Sequence, residues 1–143
     1  MNAKSKGSED RCFADITVGE SFSKEMTLTG DIIDAFAKFS QDYNPLHTDP
    51  AYAKQNGFKD RVAHGVISAC FFSEMVGMHI PGKKSLLLNI NFNFKEPIYP
   101  GDHLLFETKV VDKNFGDIIS LEAYVKREDK ICVNGVMKVK MLK

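Results

Sequence analysis

The stretch Val66 to His79 constrains the fold most. Val66, Ile67, Ala69, Cys70, Phe71, Phe72, Met75, Val76 and Met78 spread around most of a helical wheel. A helix apolar nearly all round has to be buried, and Pro81-Gly82 closes it. The period then changes. Leu86, Leu88, Ile90, Phe92 and Phe94 alternate with Leu87, Asn89, Asn91, Asn93 and Lys95, a period of two with one dry and one polar face. Pro97 to Asp102 reads as a turn, and Leu104, Phe106, Thr108 and Val110 continue the alternation. Asn114-Phe115-Gly116-Asp117 turns again. Ile119, Leu121, Ala123 and Val125 form a third strand, and Ile131 to Leu142 a fourth after a turn at Arg127 to Lys130. Consecutive strands joined by short turns imply an antiparallel sheet. One buried helix of about four turns beside such a sheet predicts an α+β fold in which the sheet wraps the helix.

The N-terminal half is less regular. Residues 1–10 are polar and expected to be flexible, leaving 11–143 as one domain. Phe13 to Leu28 reads as extended chain with a turn at Gly19. Thr29 is placed to cap a helix whose apolar residues Ile32, Ala35, Phe36 and Phe39 follow i, i+3, i+4, i+7 spacing. Asp31 and Asp34 sit in its early turns, where the helix dipole favours negative charge. The residue before Pro45 is pushed out of the α region, so this helix is expected to end near Gln41. Asp49-Pro50 restarts a short one, Asp as cap and Pro at the first position. Asp42 to His47 is therefore expected to be a non-helical loop bracketed by two helices.

Composition removes several function classes. Lys plus Arg and Asp plus Glu both count 19, which gives no basic stripe for nucleic acid and a weak case for an anionic membrane. The longest apolar run is interrupted by Ser68, Ser73, Glu74 and His79 and is too short and polar to span a bilayer. Cys12, Cys70 and Cys132 are widely spaced, with no CxxC or Cys/His cluster, so no zinc or other metal site is expected. An odd, scattered set of cysteines suits a reduced, cytoplasmic setting. The first residues carry no apolar stretch behind their lysines, and no secretory signal is expected.

The bracketed loop carries the chemistry. Asp42 and His47 place a carboxylate and an imidazole five residues apart around the Asn44-Pro45 corner. These two side chains are the best suited to move protons near neutral pH. The run Phe39-Ser40-Gln41-Asp42-Tyr43-Asn44-Pro45-Leu46-His47-Thr48-Asp49-Pro50, followed by Ala63-His64-Gly65, resembles the hydratase motif of MaoC-like (R)-specific enoyl-CoA hydratases. The resemblance extends from about Phe13 to the C-terminus. It implies a hot-dog fold, a homodimer or higher homo-oligomer formed by joining sheets edge to edge, and a place in fatty-acid or related acyl metabolism.

The resemblance also implies roles. Asp42 and His47 would grip the water that adds across a trans-2-enoyl thioester to give an (R)-3-hydroxyacyl thioester; the reverse is dehydration. The Gly65 backbone N–H would donate to the thioester oxygen as negative charge builds there. Ser73 would contact substrate or orient the site's hydrogen bonds, with a bond back to its own helix as the equal alternative. His64 reads either as part of the motif or as a satisfied core histidine. Lys59, Arg61, Lys83 and Lys84 are candidates for coenzyme A phosphates, though such residues are more often solvated surface. If Phe71, Phe72, Met75 and Met78 line the acyl tunnel, short or medium chains are favoured. No metal or redox cofactor is called for, since coenzyme A or acyl carrier protein is the substrate's handle. Two alternatives remain: a hot-dog thioesterase, for which Glu74 is the lone acid on the central helix, and a non-catalytic acyl-thioester-binding subunit. Acyl length, carrier, direction and pathway are not legible.

Overall fold

A computed structural model describes residues 7–143. After a 3-10 turn at Phe13–Asp15 the elements run β1 (Ser21–Thr27), α1 (Gly30–Ser40), α2 (Pro45–Thr48), α3 (Pro50–Gln55), α4 (Ile67–Met78), β2 (Ser85–Phe94), β3 (His103–Asn114), β4 (Ile118–Arg127) and β5 (Lys130–Met141). The five strands make one antiparallel sheet in the order β1-β3-β4-β5-β2. The alternation read from the sequence sets the faces of β3, β4 and β5; on β2 the expected dry face is not formed by the single chain, since Leu86, Leu88, Ile90 and Phe94 are exposed and the register shifts between Leu87 and Asn89. Ile119, Leu121, Ala123 and Val125 are fully buried and pair with Val139, Met137, Gly135 and Val133 on β5. Phe106 and Val110 of β3 lie opposite Val125 and Leu121 on the same face.

Helix α4 lies on that dry face. Phe72, fully buried, meets Phe106 at 5.5 Å and Phe92 at 5.3 Å between ring centroids, both inclined. Inclined aromatic pairs add to the free energy of area burial. The sheet has one tight spot: a Cβ at Gly135 would stand 2.0 Å from the Asn91 carbonyl oxygen on β2. Only glycine allows that approach between β5 and β2.

Two further expectations need correction. Pro45 does not keep the segment after Asp42 out of a helix; it occupies the first position of α2, where its missing N–H costs nothing. Helix α4 is buried on one side only, through Ile67, Ser68, Phe72, Met75 and Val76, while Cys70 and Ser73 are exposed in the single chain. The expected flexible tail, residues 1–10, falls largely outside the described residues, and its end is tied down. The Ser8 hydroxyl donates to the Gly77 carbonyl at 2.5 Å and the Glu9 N–H to Met78 at 3.0 Å.

Candidate active site

The site is assembled by local turns on one side and by long-range carbonyl contacts on the other. Thr29 caps α1 through its hydroxyl, and Gln41 ends that helix in the left-handed region at φ 63°. A relay of short-range bonds follows. The Asp42 N–H donates to the Ser40 hydroxyl at 3.2 Å, the Asn44 N–H to Asp42 Oδ1 at 3.1 Å, and the Leu46 N–H to Asn44 Oδ1 at 2.9 Å. Such Asp and Asn bonds replace backbone pairing in turns. They make Asn44 the cap of α2. They also leave the second oxygen of Asp42 uncommitted to the backbone.

His47 stands on α2, and its Nδ1–H donates to the Val62 carbonyl at 2.7 Å. That partner fixes the neutral tautomer and leaves the Nε2 lone pair free. The 62–64 segment is itself stitched in place: the Val62 N–H donates to Leu46 at 2.9 Å and the Ala63 N–H to Ile98 at 2.8 Å. His64, buried, donates from Nε2 to the Asp42 carbonyl at 2.9 Å, with Asp42 Oδ2 4.0 Å away. One donor atom each from Asp42, His47 and His64 lie within 4.8 Å of one another, close enough for a shared water or a metal ion.

His47 and His64 border a cavity of about 410 Å³, and Asp42 stands beside them without lining it. His47, His64, Gly65 and Ser68 form its polar part; Leu28, Ile67, Ile98, Leu104, Phe106 and Val133 supply apolar wall. Gly65 sits two residues before α4, and a Cβ there would stand 3.1 Å from the Phe94 ring. Lys95 to Ile98, also at the wall, belong to a loop pinned by Arg127. Its guanidinium donates to the Pro97 carbonyl at 3.0 Å and to Asp102 at 2.6 Å. The Asp102 bond raises the Arg127 pKa above its ordinary value. The arrangement offers one proton acceptor, His47, on the wall of an apolar pocket and a second, Asp42, beside it.

Asp42, His47 and Gly65 are thus brought together. Ser73 is not: it is exposed and does not border the cavity, whereas Ser68, passed over in the sequence, is buried and does. Phe71, Phe72, Met75 and Met78 do not border it either. Glu74 is engaged elsewhere, at 2.7 Å from Lys24 and 3.7 Å from His79. All four candidate phosphate-binding cations have acidic partners close by, Lys59 reaching Asp102 at 3.8 Å. Arg61 pairs with Asp34, and Lys83 and Lys84 reach Asp10 at 3.0 and 3.8 Å. Lys59 lies 4.4 Å from the centre of the Tyr99 ring.

The family model of the MaoC like domain matches residues 15–131. The chain is 42% identical over 76 residues to an (R)-specific enoyl-CoA hydratase of Aeromonas caviae, covering 53% of this chain and 57% of that one. It is 40% identical over 90 residues to an (R)-specific enoyl-CoA hydratase of Rhodospirillum rubrum, covering 63% and 62%. The chain therefore matches less than two thirds of the length of these two relatives. The solved structure of an (R)-hydratase from A. caviae involved in PHA biosynthesis superposes with a TM-score of 0.84 at 31% identity, covering 88% of this chain and 97% of that one.

Proposed function

The chain belongs to the MaoC-like domain family, with the hot-dog fold of its structural neighbours, and on that premise we propose that it hydrates trans-2-enoyl thioesters to (R)-3-hydroxyacyl thioesters, or runs the reverse dehydration. The observation that carries this reading is the convergence of the Asp42 carboxylate on the His47 imidazole, which lines an apolar cavity together with Gly65. The two side chains hold one water between them. His47 Nε2, freed by the bond from Nδ1–H to Val62, and the uncommitted Asp42 oxygen both accept from it. Hydroxide adds at Cβ and a proton at Cα. The Gly65 N–H donates to the thioester oxygen, where charge develops. The acyl group occupies the cavity; Ser73, on the exposed side of α4, takes part only if substrate also runs along that face.

No metal or redox cofactor enters this reaction; coenzyme A or acyl carrier protein is the handle. An ion at the three donors would take the water's place. Strand β2 ends the sheet with Leu86, Leu88, Ile90 and Phe94 exposed. An apolar edge of this kind invites pairing, which supports a homodimer joined there. Free Cys12, Cys70 and Cys132 suit a reducing, cytoplasmic compartment.

The test is the loss of enoyl-thioester absorbance with crotonyl-CoA and a longer enoyl-CoA, with a thiol dye present and the product's configuration determined. Hydration to the R product without free thiol is expected. Thiol release would make the protein a thioesterase instead, and tight acyl-CoA binding without turnover would make it a binding subunit.

A further inference from the structure

Two imidazoles lie face to face at the cavity, and the proposed hydration uses one of them. The rings of His47 and His64 are 3.9 Å apart between centroids and inclined by 28°. Phe36 of α1 closes on His64 from another side at 4.9 Å. His64 Nδ1 is buried with no hydrogen-bond partner. An orphaned buried nitrogen costs stability that an apolar side chain of similar shape would not. As packing alone, histidine is therefore a poor choice here.

What histidine supplies is the Nε2–H. It reaches the carbonyl of Asp42, 22 residues earlier in the chain. The other bonds around Asp42 are short-range, to Ser40 and from Asn44, and the Asp42 side chain is about half exposed. The His64 bond ties this residue to the buried entrance of α4. The same ring covers one face of His47, whose edge is held by Val62.

We propose that His64 is a positioning residue for the hydration described above, on which this inference rests. Its Nε2–H holds the Asp42 backbone and its ring face holds the His47 imidazole, so that carboxylate and Nε2 converge on one water. Misplacing such a pair by a fraction of an ångström is enough to slow the reaction without removing substrate contacts.

Two variants separate the two contacts. His64→Phe keeps a flat ring against His47 and loses the donor; His64→Gln keeps an N–H donor and loses the ring. With crotonyl-CoA, His64→Phe is expected to lower kcat about 10- to 100-fold with KM within about threefold of wild type. His64→Gln should regain part of that loss. A folded His64→Phe protein with kcat within about twofold of wild type, or a loss carried by KM alone, would overturn the proposal. Should His64→Phe not fold, His64→Gln is compared with His64→Asn, whose shorter amide falls short of Asp42. Higher kcat for Gln supports the donor role, and equal kcat overturns it. Ring nitrogen shifts in the substrate-free wild type give an independent reading. The Nε2–H tautomer of His64 is expected, and the Nδ1–H tautomer would remove the donor whatever reaction the site performs. Absence of enoyl-thioester turnover in the wild type would instead defeat the functional reading, and the catalytic part of this one with it.

Discussion

The sheet with α4 and the segment from Asp42 to His64 are held together by different forces. In the sheet, Phe106, Ile119, Leu121, Val125 and Met137 are almost fully buried, and their stability comes from area removed from water. In the site segment Asp42 is half exposed, and both histidine rings are aimed by single bonds to backbone carbonyls. The sheet tolerates no loss of volume but carries no proton chemistry. The segment carries the proposed proton chemistry on side chains such as Asp42 that contribute little buried area. Stability and activity should therefore be separable by mutation, and the contrast can be pressed from either side.

The largest effect expected is on turnover. Asp42→Asn removes a charged acceptor for the water and should lower kcat about 10²- to 10⁴-fold, with the melting temperature near wild type because the side chain is half exposed. A large fall in melting temperature would mean that Asp42 belongs to the fold after all. From the other side, Phe106→Ala removes a ring packed on Phe71 and Phe72. It should cost about 3–5 kcal/mol in denaturant unfolding; a loss under about 1 kcal/mol would mean the core is not set by this contact. Gly135→Ala forces a methyl against the Asn91 carbonyl and should cost about 1–3 kcal/mol. If β2 can move away to accept it, the stability will be unchanged.

The smallest effect belongs to the ion pair behind the site. The Arg61 guanidinium, which also reaches the Gly30 and His47 carbonyls, hydrogen-bonds to Asp34 and holds its carboxyl below the ordinary value of 3.8. A depressed carboxylate pKa stabilises the fold above the ordinary value, and that contribution is lost as pH falls through the folded-state value. Asp34 is largely exposed, so Asp34→Asn should cost no more than about 1 kcal/mol at pH 7. The difference from wild type should close below pH 3.8. A difference that persists in acid would mean that the charge is not what matters.

The same contrast decides what could be read from the sequence. Period two marked all four C-terminal strands; it gave the buried face of β3, β4 and β5, but on the edge strand β2 the apolar residues are mostly exposed. Thr29 and Asp49 announced their helices, because a cap is a local interaction. Pro45 misled, since the residue that stops one helix also starts the next. Ser73 and Ser68 are both on α4, but five residues turn roughly 140° about a helix axis; which serine borders the cavity depends on what packs against the helix. His64 stayed ambiguous because its partner is a carbonyl 22 residues away, and no local pattern encodes that. The open side of α4 was also hidden, since an apolar wheel does not say which chain covers it.

The most direct test compares wild type, Asp42→Asn and His47→Gln in single-turnover hydration of crotonyl-CoA, with unfolding followed on the same samples. The account predicts that each substitution removes most of the turnover while acyl-thioester affinity and melting temperature stay near wild type. Near-wild-type turnover in both variants would contradict the assignment of the reacting water to Asp42 and His47.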